Sequence, residues 1–303
     1  MTKQLFTKPA LTVEDQIQKL QERGLNVEDL DEARHYLTYI GYYRFSGYCL
    51  PFQSNEQKPH LFKEGITFEQ VLRCYTFDRE LRVLVMDAIE RIEVAFRASV
   101  SNGMSISIKN PFWFLDSRYF EKSDYWEHKD FLQELKNRIE KKRNQRFLKS
   151  YYGKYSNEFP PSWMIVEVLT LGDVSKMFAS LKLEYRKAIA RTMAFDEKII
   201  KSWMQVITDL RNDCAHHARI YDRLFNSRPA IAKKHKEHLR QNQLNNDRFY
   251  AQAIVLFDLL TMVSPESKWN SRLQKILEKY SEISLKTLGF PESWTNYEFW
   301  GLS

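Results

Sequence analysis

The chain has 303 residues, enough for one large or two modest domains with a substantial core. Its 20 Phe, 16 Tyr and 7 Trp exclude a disordered chain, and only 9 Gly and 9 Pro argue against a loop-rich all-β fold. A net charge of +7 suits a polyanionic partner, but it speaks to attraction and solubility rather than to function. Cys49, Cys74 and Cys214 form no metal-ligand spacing and leave one thiol unpaired, which fits a reducing compartment. The N-terminus lacks an apolar signal core, and no apolar run reaches the roughly 18 residues of a membrane span. These features predict a cytoplasmic protein with no membrane partner.

In chain order, Thr12 with Asp15 predicts a capped helix to about Arg23, stopped at Gly24. Asn26 with Asp29 predicts a second, to about Ile40. The aromatic, glycine-punctuated segment 40–52 reads as a tight turn packed with aromatic filler; within it Arg44 is a candidate phosphate contact or a structural ion-pair partner. A polar loop is expected over 54–65. Thr67 with Gln70 then caps a long helix, Phe68 to about Ser99, with a broad apolar face. At 1.5 Å per residue it approaches about 45 Å. Glu93 and Arg97 lie four apart on it, either as a solvated pair or with Glu93 reaching toward a polar cluster downstream. Residues 100–122 are expected to be irregular, with an aromatic plug at 110–114.

A polar helix follows, about Trp126 to Arg146. Lys136, Arg138, Lys141, Lys142, Arg143, Arg146 and Lys149 form a basic run along and just past it. The run is either a solvated face or a backbone-binding patch for nucleic acid, with Tyr151, Tyr152 and Tyr155 beyond it to stack on bases or to pack. Further helices are expected from Trp163 to about Thr170, with a break near Gly172–Asp173, then 174–180, 184–193, 197–224, 249–262 and 268–280, with a packed tail. No repeat, low-complexity region or sustained strand alternation is present. The pattern predicts an all-α chain: residues 1–60 as an N-terminal helical lobe packed on a main body of 61–303.

Between Asp209 and His217 an arginine, an asparagine, two aspartates and two histidines crowd together. If the helix runs to Leu224, then Trp203, Ile207, Cys214, His217, Tyr221 and Leu224 all lie within ~60° of Leu210. His217 then sits on the apolar stripe as a core histidine. Asp209, Asn212 and His216 share the opposite side, and Arg211 stands ~140° from His216. One helix does not aim these two at the same atom; a distorted turn, a wrapped arginine or a two-fold pair of chains would. Histidine moves protons near neutral pH, and arginine grips phosphate through two donors. RNA carries its own nucleophile, so such groups can cleave it without a metal, leaving a 2′,3′-cyclic phosphate. Adjacent His216 and His217 diverge, and neither His-Glu-x-x-His nor Cys-x-x-Cys occurs, so no metal or other cofactor is expected. The competing reading is a polar network that holds helices in register.

Arg211-Asn-Asp-Cys-Ala-His216 resembles the Arg…His signature of HEPN ribonucleases. The longer stretch from Leu210 to Tyr221 resembles the Abi-like abortive-infection family of the AbiD/AbiF type, as do Leu-Gln-Glu-Arg-Gly-Leu25, the segment Leu37–Phe52 and Ala-Ile-Glu-Arg-Ile-Glu-Val-Ala-Phe-Arg97, in the same order. The resemblance implies a HEPN-like helical bundle with a long central helix, working as a homodimer. It implies Arg211 and His216 as catalytic, Asn212 beside them, and Glu93, Asp209, Asp213 and His217 in support. It further implies antiphage defence by RNA cleavage, toxin-like and restrained by a small-RNA or protein antitoxin. The alternative is a non-catalytic RNA-binding or regulatory protein that uses the cluster for docking or dimerisation.

Overall fold

The computed structural model describes residues 5, 7, 9–54, 60–122 and 126–302. Within them the chain is helical, with three isolated bridge pairs and no strand, so the all-α expectation holds. The chain divides into two compact units, Met1–Leu81 with Ile276–Ile283, and Arg82–Lys275 with Ser284–Ser303. The polar loop expected at 54–65 falls partly outside the described residues.

The first unit holds α1 (Val13–Glu22), α2 (Leu30–Ile40), α3 (Tyr42–Cys49) and the start of α4 (Phe68–Ile108). The Thr12 capping box forms as expected, its hydroxyl accepting from Asp15 N at 3.2 Å. At the second helix the cap is Asp29 alone; Asn26 instead pairs through its backbone with the Thr67 strand-like bridge. The expected turn over 40–52 is a helix: Gly41 takes φ +81 and turns the chain, and α3 follows directly. Phe45 and Tyr48 turn into the core, while Tyr43 is exposed. Phe45 stacks on Phe68 with centroids 4.5 Å apart, and the buried Tyr48 hydroxyl donates to Asp78 at 2.7 Å.

α4 begins at the predicted Thr67–Gln70 cap but runs nine residues past Ser99, to Ile108. Gly103 does not break it, because the missing Cβ lets α9 (Leu183–Thr192) approach: a Cβ there would lie 3.0 Å from Ile189 Cγ1. The helix ends where Lys109 turns left-handed before Asn110-Pro111. Trp113 and Phe114 then bury as the plug. The expected single basic helix is two, α5 (His128–Lys142) and α6 (Arg146–Tyr152), because Gln145 is extended. The break expected at Gly172–Asp173 falls earlier, at Leu169–Thr170. It separates α7 (Ser162–Val168) from α8 (Leu171–Ser180), and Asp173 closes a capping box on Thr170.

α10 (Glu197–Ala215) lies against α8, α9 and α12 (Phe249–Val263) through Ile200, Trp203, Met204, Ile207 and Leu210. Gly172 brings α8 close, its notional Cβ 3.2 Å from Thr208 Cγ2. Beyond α10 come α11 (Lys233–Gln241), α12, α13 (Trp269–Lys279) and α14 (Leu285–Leu288). Trp269 donates to the Leu84 carbonyl at 2.8 Å, and Trp294 and Trp300 bury in the C-terminal tail. Cys49, Cys74 and Cys214 are buried and form no disulfide among the described residues, and burial pushes the Cys49 thiol up to about 12. No helix among the described residues is long and apolar enough to cross a membrane.

α11, α12 and the tail are joined by a polar core. Asp258, fully buried, accepts from His235 Nε2 at 2.6 Å and from Lys234; His235 Nδ1 meets the Tyr297 hydroxyl at 2.8 Å. Tyr297 stacks on His238, whose Nε2 meets the Tyr250 hydroxyl at 2.7 Å. Burial and the adjoining His235 hold His238 below the usual imidazole range. Asp258→Ala strands these donors and is expected to cost about 3 kcal/mol. Lys234→Ala, whose side chain is half exposed, is expected to cost about 1 kcal/mol or less. Urea unfolding followed by tryptophan fluorescence measures both; equal effects would refute the buried-anchor role of Asp258.

Candidate active site at the end of helix α10

The helix bearing the polar cluster stops nine residues before the predicted Leu224. His216 is the C-cap, and His217 takes the left-handed conformation at φ +57. Two bonds close the stop: Ala218 N donates to Asp213 O at 2.8 Å, and His217 N to Cys214 O at 3.0 Å. This pair satisfies carbonyls that the helix end leaves open, in an arrangement that usually places glycine at the left-handed position. A histidine there costs about 1–2 kcal/mol.

The stop corrects the helical wheel. His217 is exposed rather than set on the apolar stripe, and Leu224 is 61% exposed. Cys214 and Tyr221 are buried, as expected, but Tyr221 reaches the core from the loop rather than along a helix.

The loop after the stop is tied back onto the helix by side chains on both. Ser227 Oγ donates to Asp209 Oδ2, and Gln205 Nε2 reaches the two Asp209 oxygens at 3.1 and 3.2 Å. Arg223 pairs with Asp213 at 3.1 Å. Trp203 Nε1 donates to the Ala230 carbonyl at 2.7 Å, and Ala230 N to Ser202 Oγ at 2.8 Å. Arg82, buried on α4, points a guanidinium nitrogen at the Ala218 carbonyl, 3.4 Å away. No periodicity marks Arg82, Arg223 or Ser227, because each acts across the irregular loop; the surplus of Arg and Asp near the cluster was the available signal.

The consequence is selective. Both aspartates flanking Arg211 are engaged by other donors. Among the described residues Arg211 has no carboxylate partner, and its one side-chain contact is Asn212 Oδ1 at the hydrogen-bonding limit of 3.5 Å. Asn212 and His216 are exposed, and the His216 imidazole has no side-chain partner among the described residues. An arginine, an amide and an imidazole therefore stand uncommitted on the last turn and a half of one helix. Arg211 and His216 are separated along its axis by about 7.5 Å. Such a set can bind a phosphodiester, move a proton and stabilise developing charge.

The other candidates lie elsewhere. Glu93 does not bond Arg211; it takes the guanidinium of Arg97, which also donates to the Val166 and Leu169 carbonyls and so ties α4 to the α7–α8 junction. Arg44 is exposed on α3, in the first unit. In the basic run, Lys136 pairs with Glu158 at 2.7 Å, Arg138 with Asp173 at 3.3 Å and Arg143 with Glu140 at 3.0 Å, while Lys142 donates to the Val168 carbonyl at 2.8 Å. Lys141, Arg146 and Lys149 are exposed, with no ion pair among the described residues. Those residues also contain no group of three or more His, Cys, Asp or Glu side chains placed to hold a metal ion.

Fold and site together define an all-α protein with an exposed Arg-Asn…His helix end. The chain matches the family model described as Abi-like protein over residues 35–222, more than half its length, and it belongs to that family. The match runs from α2 to the loop just beyond the cluster. No curated protein and no solved structure matches the chain.

His217→Gly separates conformation from chemistry. Glycine removes the left-handed strain, so stability in urea is expected to rise by up to about 1 kcal/mol. A fall in stability would show that the His217 side chain contributes more than its backbone conformation costs.

Proposed function

We propose that the protein is a metal-independent endoribonuclease of the HEPN type, AbiD/AbiF-like, acting in bacterial antiphage defence. The observation that carries this reading is the uncommitted Arg211, Asn212 and His216 beside two aspartates already engaged elsewhere. In the reaction, a neutral His216 imidazole takes the proton of a ribose 2′-hydroxyl. The 2′-oxygen attacks the adjacent phosphorus, and the bond to the 5′-oxygen breaks. Arg211 holds the phosphoryl oxygens as charge builds on them, and Asn212 orients the phosphate. The leaving 5′-oxygen takes a proton, and the products are a 2′,3′-cyclic phosphate and a 5′-hydroxyl.

That leaving group needs an acid, and one helix presents one such histidine. A two-fold homodimer supplies a second His216 and a second Arg211, so that base and acid come from different copies. Asp209 and Asp213 act by fixing the loop, and His217 by ending the helix. Glu93 acts from a distance, by positioning Arg97. The toxin-like activity would be restrained by an RNA or protein antitoxin. The 140° divergence of Arg211 and His216 on a single helix favours the second reading, in which the cluster docks RNA or a second copy without cutting.

The test is cleavage of total RNA by the purified chain in EDTA, beside Arg211→Ala and His216→Ala. Each variant is expected to lose about 100-fold or more in rate, with cyclic-phosphate ends disappearing in step. Both side chains are solvent-accessible, so folding is expected to persist, which circular dichroism checks. Full activity in folded variants would remove the assignment; binding without cleavage by the parent would establish the docking reading.

A further inference from the structure

A cavity of about 350 Å³ opens between α5 and the segment that follows α6. Its size falls at the small end of ligand sites, roughly 300–1,000 Å³. One wall is a single face of α5, with Lys136, Glu140 and Arg143 at spacings of four and three. The other is Tyr152, Tyr155 and the exposed turn 156–158.

The interior is aromatic and charge-balanced. Arg143 lies over the Tyr152 ring at 4.3 Å and pairs with Glu140. Lys136 pairs with Glu158, and the Tyr152 hydroxyl donates to the Glu158 carbonyl at 2.9 Å. Tyr155 rests against Tyr151, centroids 5.0 Å apart, yet remains 56% exposed. Such walls do not select an anion. They suit a flat, neutral, hydrogen-bonding ring, with Asn157 and the two paired carboxylates available to its edge.

The charge sits at the rim. Arg146, Lys149 and Tyr152 succeed one another at i,i+3 along α6, so two cations without ion pairs among the described residues form a row that ends on the cavity. Lys154 is exposed just beyond. A neutral aromatic cleft approached by a line of cations matches one repeating chemistry: a base with its strand of phosphates.

We propose that this cavity holds one unstacked nucleobase of a single-stranded RNA, against Tyr155, while Arg146 and Lys149 track the adjoining phosphates. The proposal rests on RNA being the partner in the preceding section, but not on the protein cutting it. A duplex keeps its bases paired and stacked, so the site discriminates against it.

The experiment uses the full chain carrying Arg211→Ala, so that RNA stays intact. Fluorescence anisotropy measures binding of a labelled twelve-nucleotide single strand, its duplex, and uridine monophosphate as competitor. Tyr155→Ala is expected to weaken single-strand binding about tenfold through loss of base stacking, without changing its salt dependence. Tyr155→Phe is expected to retain binding. Arg146→Ala with Lys149→Ala is expected to weaken binding and flatten the salt dependence by about 1.4 in log–log slope. Binding of Tyr155→Ala within twofold of its parent, a duplex bound as tightly as the single strand, or no RNA binding by the parent would each overturn the proposal. A mononucleotide that saturates the site while the strand does not compete would overturn it in favour of a free nucleotide. Failure of the nuclease reading is seen separately: strand binding that depends on Tyr155, in a wild-type chain that cuts no RNA, keeps the base site and removes the catalysis.

Discussion

The catalytic reading of this protein depends on where α10 stops. Two backbone bonds, Ala218 to Asp213 and His217 to Cys214, close the helix around a histidine in a left-handed conformation. Had the helix continued, His217 would have faced the core and His216 would have stayed on a flank. Because it stops, His216 becomes the cap at an open end, and the chain swings away so that Ile220, Tyr221 and Phe225 bury separately. The conformational cost of His217, about 1–2 kcal/mol, is offset by the carbonyls it satisfies and by this burial. Strain of this kind clusters at working sites, and here it lies one residue from the proposed base.

The stop is made firm by the loop around it. Ser227 and Gln205 hold Asp209, Arg223 holds Asp213, and Trp203 and Ser202 fasten Ala230. These ties have an electrostatic result as well as a mechanical one. An arginine between two aspartates would ordinarily be neutralised by them. With both carboxylates turned to other donors, Arg211 keeps its guanidinium for an outside anion. The site is thus set by which ion pairs form and which do not, on a helix whose other face is locked by Trp203, Met204, Ile207 and Leu210.

Much of this was legible in the chain. Thr12 with Asp15 and Thr67 with Gln70 announce their helices because capping is local: the partners lie three residues apart. The cluster itself was conspicuous by composition. Misreadings came where distant packing outweighed local signals. α4 was expected to give way to irregular chain after Ser99, yet it continues through Gly103, where Ile189 packs close; the break expected near Gly172 is displaced, and Thr208 packs against that glycine. Tyr221 and Leu224 matched a helical period by coincidence, since one is buried from a loop and the other is exposed. A left-handed histidine has no sequence mark comparable to glycine, so the end of α10 was invisible. The basic run read as one face; in the folded chain some of its members are engaged in pairs and others are exposed. Arg143 finds Glu140 locally, but Lys136 and Lys142 are held by Glu158 and the Val168 carbonyl, which lie far along the chain.

The central claim is that this helix end cuts RNA by using the RNA's own hydroxyl. The most direct test is a synthetic strand containing a bond the protein cleaves, compared with the same strand carrying a single 2′-deoxy nucleotide on the 5′ side of that bond. The account predicts that the ribose strand is cut there and that the deoxy strand stays intact at that bond while its other sites are still cleaved. Cleavage of the deoxy strand at the same bond would contradict it, because no 2′-oxygen would be present to attack the phosphorus.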